Sequence, residues 1–420
     1  MQTYGEILLI AMPAFFVLVM FEKLWGIWKN NDTVPMPDMI SSLTSGMTNV
    51  TKDVLGLSLV VISYEWLYGQ LGFFEIKATW LVYLIAFLAL DFAGYWTHRI
   101  AHEYNIFWNN HIIHHSSEEF NLACALRQSI SGIVKIFAVF LIPAAILGVP
   151  PEVIIVVAPL HLFAQFWYHT RHINKMGFLE KIIVTPSHHR VHHAINPEYL
   201  DKNYGQIFIF WDRWFGTYQE ERADIPAVYG VTRPVETWNP IKINFMHLWL
   251  LIQDAWRAKS WSDKLKIWFM PLGWRPEDVA ENYPVKKIQD VYHFQKYNPN
   301  LSKALMIWSF VQLLVLLLFL SYLFGNLADI GIPGIFLYGG FIFLSVYALT
   351  ELMDRNPNAW AWELLKTTFG VYLIVTQGGW FGLEVHISGV SAVLFGYFGL
   401  SLLISIWYSF KRPDEVSQLG

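Results

Sequence analysis

Cysteine is almost missing: the 420-residue chain has one, Cys124. That excludes an intrachain disulfide and a thiolate metal cage, and Cys124 reads as a small packed residue. Charge is scarce too. Charged residues make up 15% of the chain against 55% hydrophobic ones, too few to cover the surface of a soluble protein of this length. No basic run marks a nucleic-acid partner, and the net charge is only -4. There is no internal repeat and no low-complexity tract. The opening stretch "MQTYGEILLIAMPAFFVLVMF" lacks a basic start and a small-residue cleavage site, so it reads as a retained helix.

What the chain does have is long apolar runs, several reaching the ~17–25 residues a bilayer-spanning helix needs. They predict spans at Glu6–Trp28, Val54–Leu71, Thr79–Tyr95, Ala304–Phe324, Gly334–Leu349, Thr367–Phe381 and Val390–Trp407. Gly132–Val149 and Val153–Trp167 form two shorter arms broken at Pro150-Pro151. The expected fold is an all-α, polytopic integral membrane protein with roughly nine membrane segments. Three regions follow: N-terminal transmembrane helices (1–97), a histidine-rich catalytic region (98–300) with a short membrane hairpin (132–168) and a helical cap, and C-terminal transmembrane helices (301–420). Lys29, Lys52, Arg99, Arg171, Lys175, Lys181, Lys366, Lys411 and Arg412 can share one side, which places the cap in the cytoplasm. Ile243–Trp261 mixes aromatics with charge and reads as an interfacial helix or a buried helix of the cap.

Histidine is concentrated. Of 15 in the chain, 12 lie between His98 and His193. His98 and His102 stand in "HRIAH", His111, His114 and His115 in "HIIHH", and His189, His192 and His193 in "HRVHH". Residues three or four apart share a helix face, so each motif is expected to aim its imidazoles in one direction. Charged imidazoles would repel, and neutral ones need a partner for every nitrogen. A metal answers both needs. Eight histidines exceed what one zinc takes and imply two metals; nitrogen-rich sites with open positions suit redox iron. His169, four residues after Gln165 at the mouth of a span, joins them as a ninth candidate. His172 and His188 stay open as ligands, His161 reads as packing or pocket lining, and the solitary His247, His293 and His386 read as structural.

These three motifs, in this order beside membrane spans, resemble the membrane fatty acid hydroxylase and sterol desaturase superfamily. Asp91–Glu221 is most similar to the branch that oxidises glyceryl ethers, and "WNPIKINF" and "KLKIWFMPLGWRP" are also similar. The resemblance implies a histidine-bound centre of two Fe ions and oxidation of a lipid C–H bond with O2. In that branch the target is the ether-linked carbon, the product falls apart to an aldehyde and a glycerol, and tetrahydrobiopterin is the reductant. It further implies the eight histidines of the three motifs as metal ligands, with His169 added from its position alone, and catalytic-region roles for Asp91, Glu103 and Asn203, which match further motif positions. Asp91 and Glu103 would orient an imidazole, and Asn203 would hold a ligand or a water. Asp201 and Asp212 read as loop caps. The expected partners are a lipid drawn from the bilayer and an electron donor, either a small reductant or a protein. The expected location is a bacterial inner membrane or the endoplasmic reticulum. A sterol or fatty-acyl hydroxylase or desaturase with the same centre is the alternative. A metal transporter would need ionisable residues deep in several spans, and the C-terminal spans read as nearly bare of them.

Overall fold

The computed structural model describes residues 2–411 except Glu75, Ala78 and Ile136; Arg412, counted above among the basic residues, lies outside them. Five helices are long and apolar enough to cross a membrane: Gly5–Trp28, Trp80–Glu103, Lys303–Gly325, Leu327–Met353 and Val390–Phe410. A further helix, Ala359–Gln377, packs between the last two. The expected nine segments therefore reduce to five. Val54–Leu71 is not a span: the helix before it ends at Val54, Gly56 takes φ 66°, and only Tyr64–Leu71 is helical. Glycine and β-branched residues in "LGLSLVVIS" favour that break. Leu59–Val60 pairs instead with Val134–Lys135 in a two-residue parallel ladder, the one sheet among the described residues.

The two hairpin arms are short as well. Only Ile142–Ile146 and Pro151–Phe163 are α-helical. They pack on the helix Trp80–Glu103 through Val82, Ala86, Leu90 and Ala93 against Leu141, Ala144, Val149, Val153 and Val157. That packing holds the helix that carries His98 and His102.

The other large core belongs to the C-terminal bundle, where Phe319, Tyr338, Phe341, Trp380 and Phe398 meet. Trp380 Nε1 donates to Tyr338 Oη at 3.0 Å, which donates to the Phe319 carbonyl at 2.8 Å, so both polar tips are satisfied inside an apolar layer. This bundle is less bare than its sequence suggests. Glu363 and Lys366 pair with each other while almost wholly buried, and Lys366 also donates to Ser401.

Met36–Val54 packs into this second core through Met39, Ile40, Leu43 and Met47. It is as long as a span but too polar to face lipid. Its hydroxyls turn inward and are satisfied locally: Thr44 donates to the Ile40 carbonyl and Thr51 to the Met47 carbonyl. Ser41 donates to the Trp238 carbonyl, and the helix packs on Cys124–Leu126 and on two C-terminal helices. Pro240–Arg257 is amphipathic in place, which merges the two expectations for it. It buries Ile243, Asn244, His247, Leu251 and Asp254 and exposes Trp249 and Trp256.

Candidate metal centre

One long helix and two short ones aim eight of the nine histidines. His98 and His102 lie one turn apart on the buried face of Trp80–Glu103. Ile112–His115 is a single turn, and its first motif residue, His111, occupies the N-cap position. Pro186–His192 starts on Pro186, whose fixed φ suits a first helical position, behind the N-cap Thr185. His188 Nδ1 accepts from the Thr185 backbone N–H at 3.3 Å, which closes this helix's cap and turns His188 away from the centre.

All nine histidines singled out in the sequence converge, but in two groups. His98, His102, His111, His115 and His192 form one; His114, His169, His189 and His193 form the other. Within a group, one nitrogen from each ring lies within 4.8 Å of all the others. Each HxxHH motif is split: the first and last residues serve one group, the fourth serves the other. The expectation that each motif points one way is corrected by this split. His172 and His188 join neither group; His172 Nε2 meets Thr33 Oγ1 at 3.1 Å.

Backbone carbonyls fix the tautomers. His98 Nδ1 faces the Tyr204 carbonyl at 2.8 Å, His192 Nδ1 that of Lys202 at 2.9 Å, and His169 Nδ1 that of Gln165 at 3.1 Å. A nitrogen beside a carbonyl carries the proton, so the Nε2 of each ring presents a lone pair inward. Those lone pairs meet other nitrogens. His192 Nε2 is 3.1 Å from His115 Nε2, which is also 3.2 Å from His102 Nε2 and 3.1 Å from His111 Nε2. In the second group His189 Nε2 is 2.9 Å from His169 Nε2 and 3.0 Å from His193 Nε2. One imidazole nitrogen has one proton or one lone pair and cannot satisfy three others. His98 Nε2 is buried with no partner at all. Nitrogens bound at about 2.1 Å around one cation sit roughly 3.0–3.4 Å apart, the spacing seen here. The residues fit a metal ion in each group.

Burial holds His111, His114, His115, His189, His192 and His193 well below the usual imidazole range, with neighbouring imidazoles adding to the effect. Burial alone takes His169 down to about 4. The rings are therefore neutral at physiological pH, the form that binds metal. No carboxylate belongs to either group. The nearest, Asp201 Oδ1, is 3.6 Å from His102 Nδ1.

The three non-histidine candidates act elsewhere. Asp91 does not orient a cluster ring. Its carboxylate accepts from His161 Nε2 and the Ile207 N–H, each at 2.8 Å, from the Phe208 N–H at 3.1 Å and from Trp211 Nε1 at 2.8 Å. Glu103 accepts from Arg99 Nε at 2.7 Å rather than facing an imidazole. Asn203 donates to the carbonyls of His188 and Gln219 and accepts from the Gln219 N–H. It ties the motif helix to the following loop. Asp212 accepts from the backbone N–H groups of Tyr204 and Gly205, which fixes the carbonyl that faces His98.

Other supports carried no separable signal in the sequence. Arg127 donates to Asp38 at 2.7 Å, to Ser42 at 2.9 Å and to Ser116, next to His115, at 2.8 Å. Glu22 accepts from Thr170 and from the Leu122 N–H, each at 2.6 Å, and so anchors the chain beside His169. A cavity of about 280 Å³ opens on His102, His115, His192 and His193. Trp108, Ile112, Leu200, Leu251 and Trp274 give it apolar walls.

Comparison with known proteins agrees with this geometry. Residues 83–217 match the family model described as fatty acid hydroxylase. The alkylglycerol monooxygenase of Homo sapiens is 35% identical over 360 residues, covering 84% of this chain and 79% of the human one. That of Xenopus tropicalis is 34% identical over 364 residues, 86% of this chain and 80% of its own. A Delta(7)-sterol 5(6)-desaturase of Aspergillus fumigatus is 29% identical over 155 residues, only 35% of this chain and 42% of its own. No solved structure matches. The coverage of the first two relatives, with the histidine motifs inside the matched domain, decides the assignment: the chain belongs to the alkylglycerol monooxygenase family, membrane lipid monooxygenases built on the fatty acid hydroxylase domain.

Proposed function

We propose that the nine histidines hold two iron ions, that O2 is the oxidant, and that the substrate is an alkylglycerol lipid hydroxylated at its ether-linked carbon. The hydroxylated product is a hemiacetal, which separates into an aldehyde and a glycerol. The observation that carries this reading is the convergence of nine imidazoles, seven of them buried and His111 and His114 half-buried, in two groups without a carboxylate. Iron, when bound, supplies the activation of O2 and the oxidation of the C–H bond.

The chain's own residues orient and enclose. Carbonyls of Tyr204, Lys202 and Gln165 hold the rings of His98, His192 and His169 with Nε2 inward. Phe120 and Tyr168 pack on His169 and His189 and exclude water from that side. The cavity beside the other group is small against the roughly 300–1,000 Å³ that encloses a drug-sized ligand. It has room for a polar head and the first carbons of a lipid, with the alkyl tail left in the bilayer.

In this reading residues 1–97 and 301–420 are the membrane parts and 98–300 the catalytic part. The histidine side is placed at the cytoplasm, on the expectation that the basic residues flanking the spans share that side, in a bacterial inner membrane or the endoplasmic reticulum. Electrons come from a tetrahydropterin such as tetrahydrobiopterin, or from a donor protein. The sterol desaturase alternative is less favoured, because that relative matches only about a third of the chain. The test is turnover of a glyceryl ether by iron-loaded enzyme in detergent, under O2, with and without tetrahydropterin. Aldehyde release that disappears in His114→Ala is expected. Full turnover in that variant, or oxidation of sterols but of no glyceryl ether, would overturn the reading.

A further inference from the structure

The cavity lining holds two chemically different sets of groups. One is His102, His115, His192 and His193; the other is Arg233, Arg275 and Lys287, with His247 and Asp254. Two of these polar groups are already committed. Asp254, fully buried, accepts a fork from Arg275 at 2.6 and 2.9 Å. His247 Nε2 meets the Asn105 carbonyl at 2.9 Å. Lys287 is exposed at the rim.

Arg233 differs from its neighbours. It is half-buried in the wall, yet among the described residues it makes no hydrogen bond and no ion pair. Asp254, the nearest countercharge, is spent on Arg275. Asp201, the other carboxylate of the lining, stands beside His102. Burial and the like charge of Arg275 both lower the Arg233 pKa. A guanidinium withdrawn from water without a partner is costly, and an anion arriving in the cavity would offset that cost.

We infer that Arg233 selects the polar end of the lipid by binding the anionic phosphate of a phosphate-bearing glyceryl ether, so that the adjoining ether carbon lies at the histidines. This deepens the function proposed above and rests on the same cavity being the lipid's seat. The planar fork of arginine matches two phosphate oxygens. A neutral alkylglycerol offers the same group only hydroxyls, which make weaker bonds to it.

The test is equilibrium binding to the full chain in detergent, without metal, so that it reads recognition apart from turnover. Three probes are compared: an alkylglycerol phosphate, the neutral alkylglycerol of equal chain length, and glycerol phosphate without a chain. The wild type is expected to bind the phosphate lipid about ten-fold or more tighter than the neutral one. Arg233→Gln should erase that difference by weakening the phosphate lipid far more than the neutral one, and Arg233→Lys should keep part of it. Equal affinity of the wild type for both lipids overturns the inference, whatever the variants do. So does a preference that survives in a folded Arg233→Gln protein. Binding of glycerol phosphate as tight as that of the lipid would assign a free-phosphate site and overturn the lipid assignment. If the preference is absent while glyceryl ethers are still oxidised, only the role of Arg233 falls. If the preference is present and no ether is oxidised, the proposed function falls instead.

Discussion

His114 and His115 are consecutive in the chain and belong to different histidine groups. Their rings stand 5.5 Å apart with planes at 87°. His115 turns Nε2 toward His111 and His192, and His114 turns its own toward His169. Neighbouring residues on a helix point about 100° apart, and one turn of helix between the groups uses that angle. His192 and His193 do the same from the facing side, with ring planes at 89°. His115 and His193 stack at 4.3 Å and bring the two groups side by side.

This split predicts separable losses. His115→Ala removes a ligand from the five-histidine group, and His114→Ala removes one from the four-histidine group. Each folded variant is expected to retain about one ion per chain, with the double variant retaining none. Elemental analysis of each purified protein checks it. Loss of both ions in each single variant would mean a shared site in place of two.

Arg127 is expected to be a structural anchor of the centre. Asp38→Asn leaves its buried guanidinium without a charged partner, a change that costs about 3–5 kcal/mol. Thermal unfolding should show a marked drop. Replacing both partners, as Asp38→Leu with Arg127→Met, should cost less than Asp38→Asn alone. A double variant less stable than the single would contradict this.

The convergence of the motif histidines was legible in the sequence because residues three or four apart share a helix face. His169 was legible too, from its place at the end of an apolar segment. The division into two groups was not. It depends on how Trp80–Glu103, Ile112–His115 and Pro186–His192 approach one another, which no local pattern encodes. The span count failed for a related reason: Val54–Leu71 has the hydropathy of a span but the glycine and β-branched residues of a broken segment. Asp91 misled because it does lie on the helix face of His98. Four donors from other elements, distant in sequence, hold its carboxylate.

Asp91→Asn tests that reassignment. An amide puts a donor where the carboxylate accepts from His161, Trp211 and two backbone N–H groups. The variant is expected to lose stability, by about 1–3 kcal/mol for each buried donor left unsatisfied, while the folded fraction binds both ions. Unchanged stability with loss of one ion would return Asp91 to the support of a ligand.

Acid should weaken the metal-free chain. The folded imidazoles outside the membrane helices resist protonation, His169 down to about 4, whereas an unfolded imidazole takes a proton near pH 6.5. Below that pH the unfolded state binds more protons, so stability falls as pH drops through 6.5 and goes on falling toward 4. Above about pH 7.5 these groups contribute no slope. Melting temperatures of chelator-treated protein between pH 8 and 5 give the sign directly; a rise on acidification would contradict it.

The most direct test of the central claim is a metal count on detergent-purified wild-type protein, reconstituted with ferrous iron under anaerobic conditions and freed of excess. Two histidine groups predict about two irons per chain. One iron, or none in protein shown to be folded, would contradict a two-metal centre and the oxygen chemistry built on it.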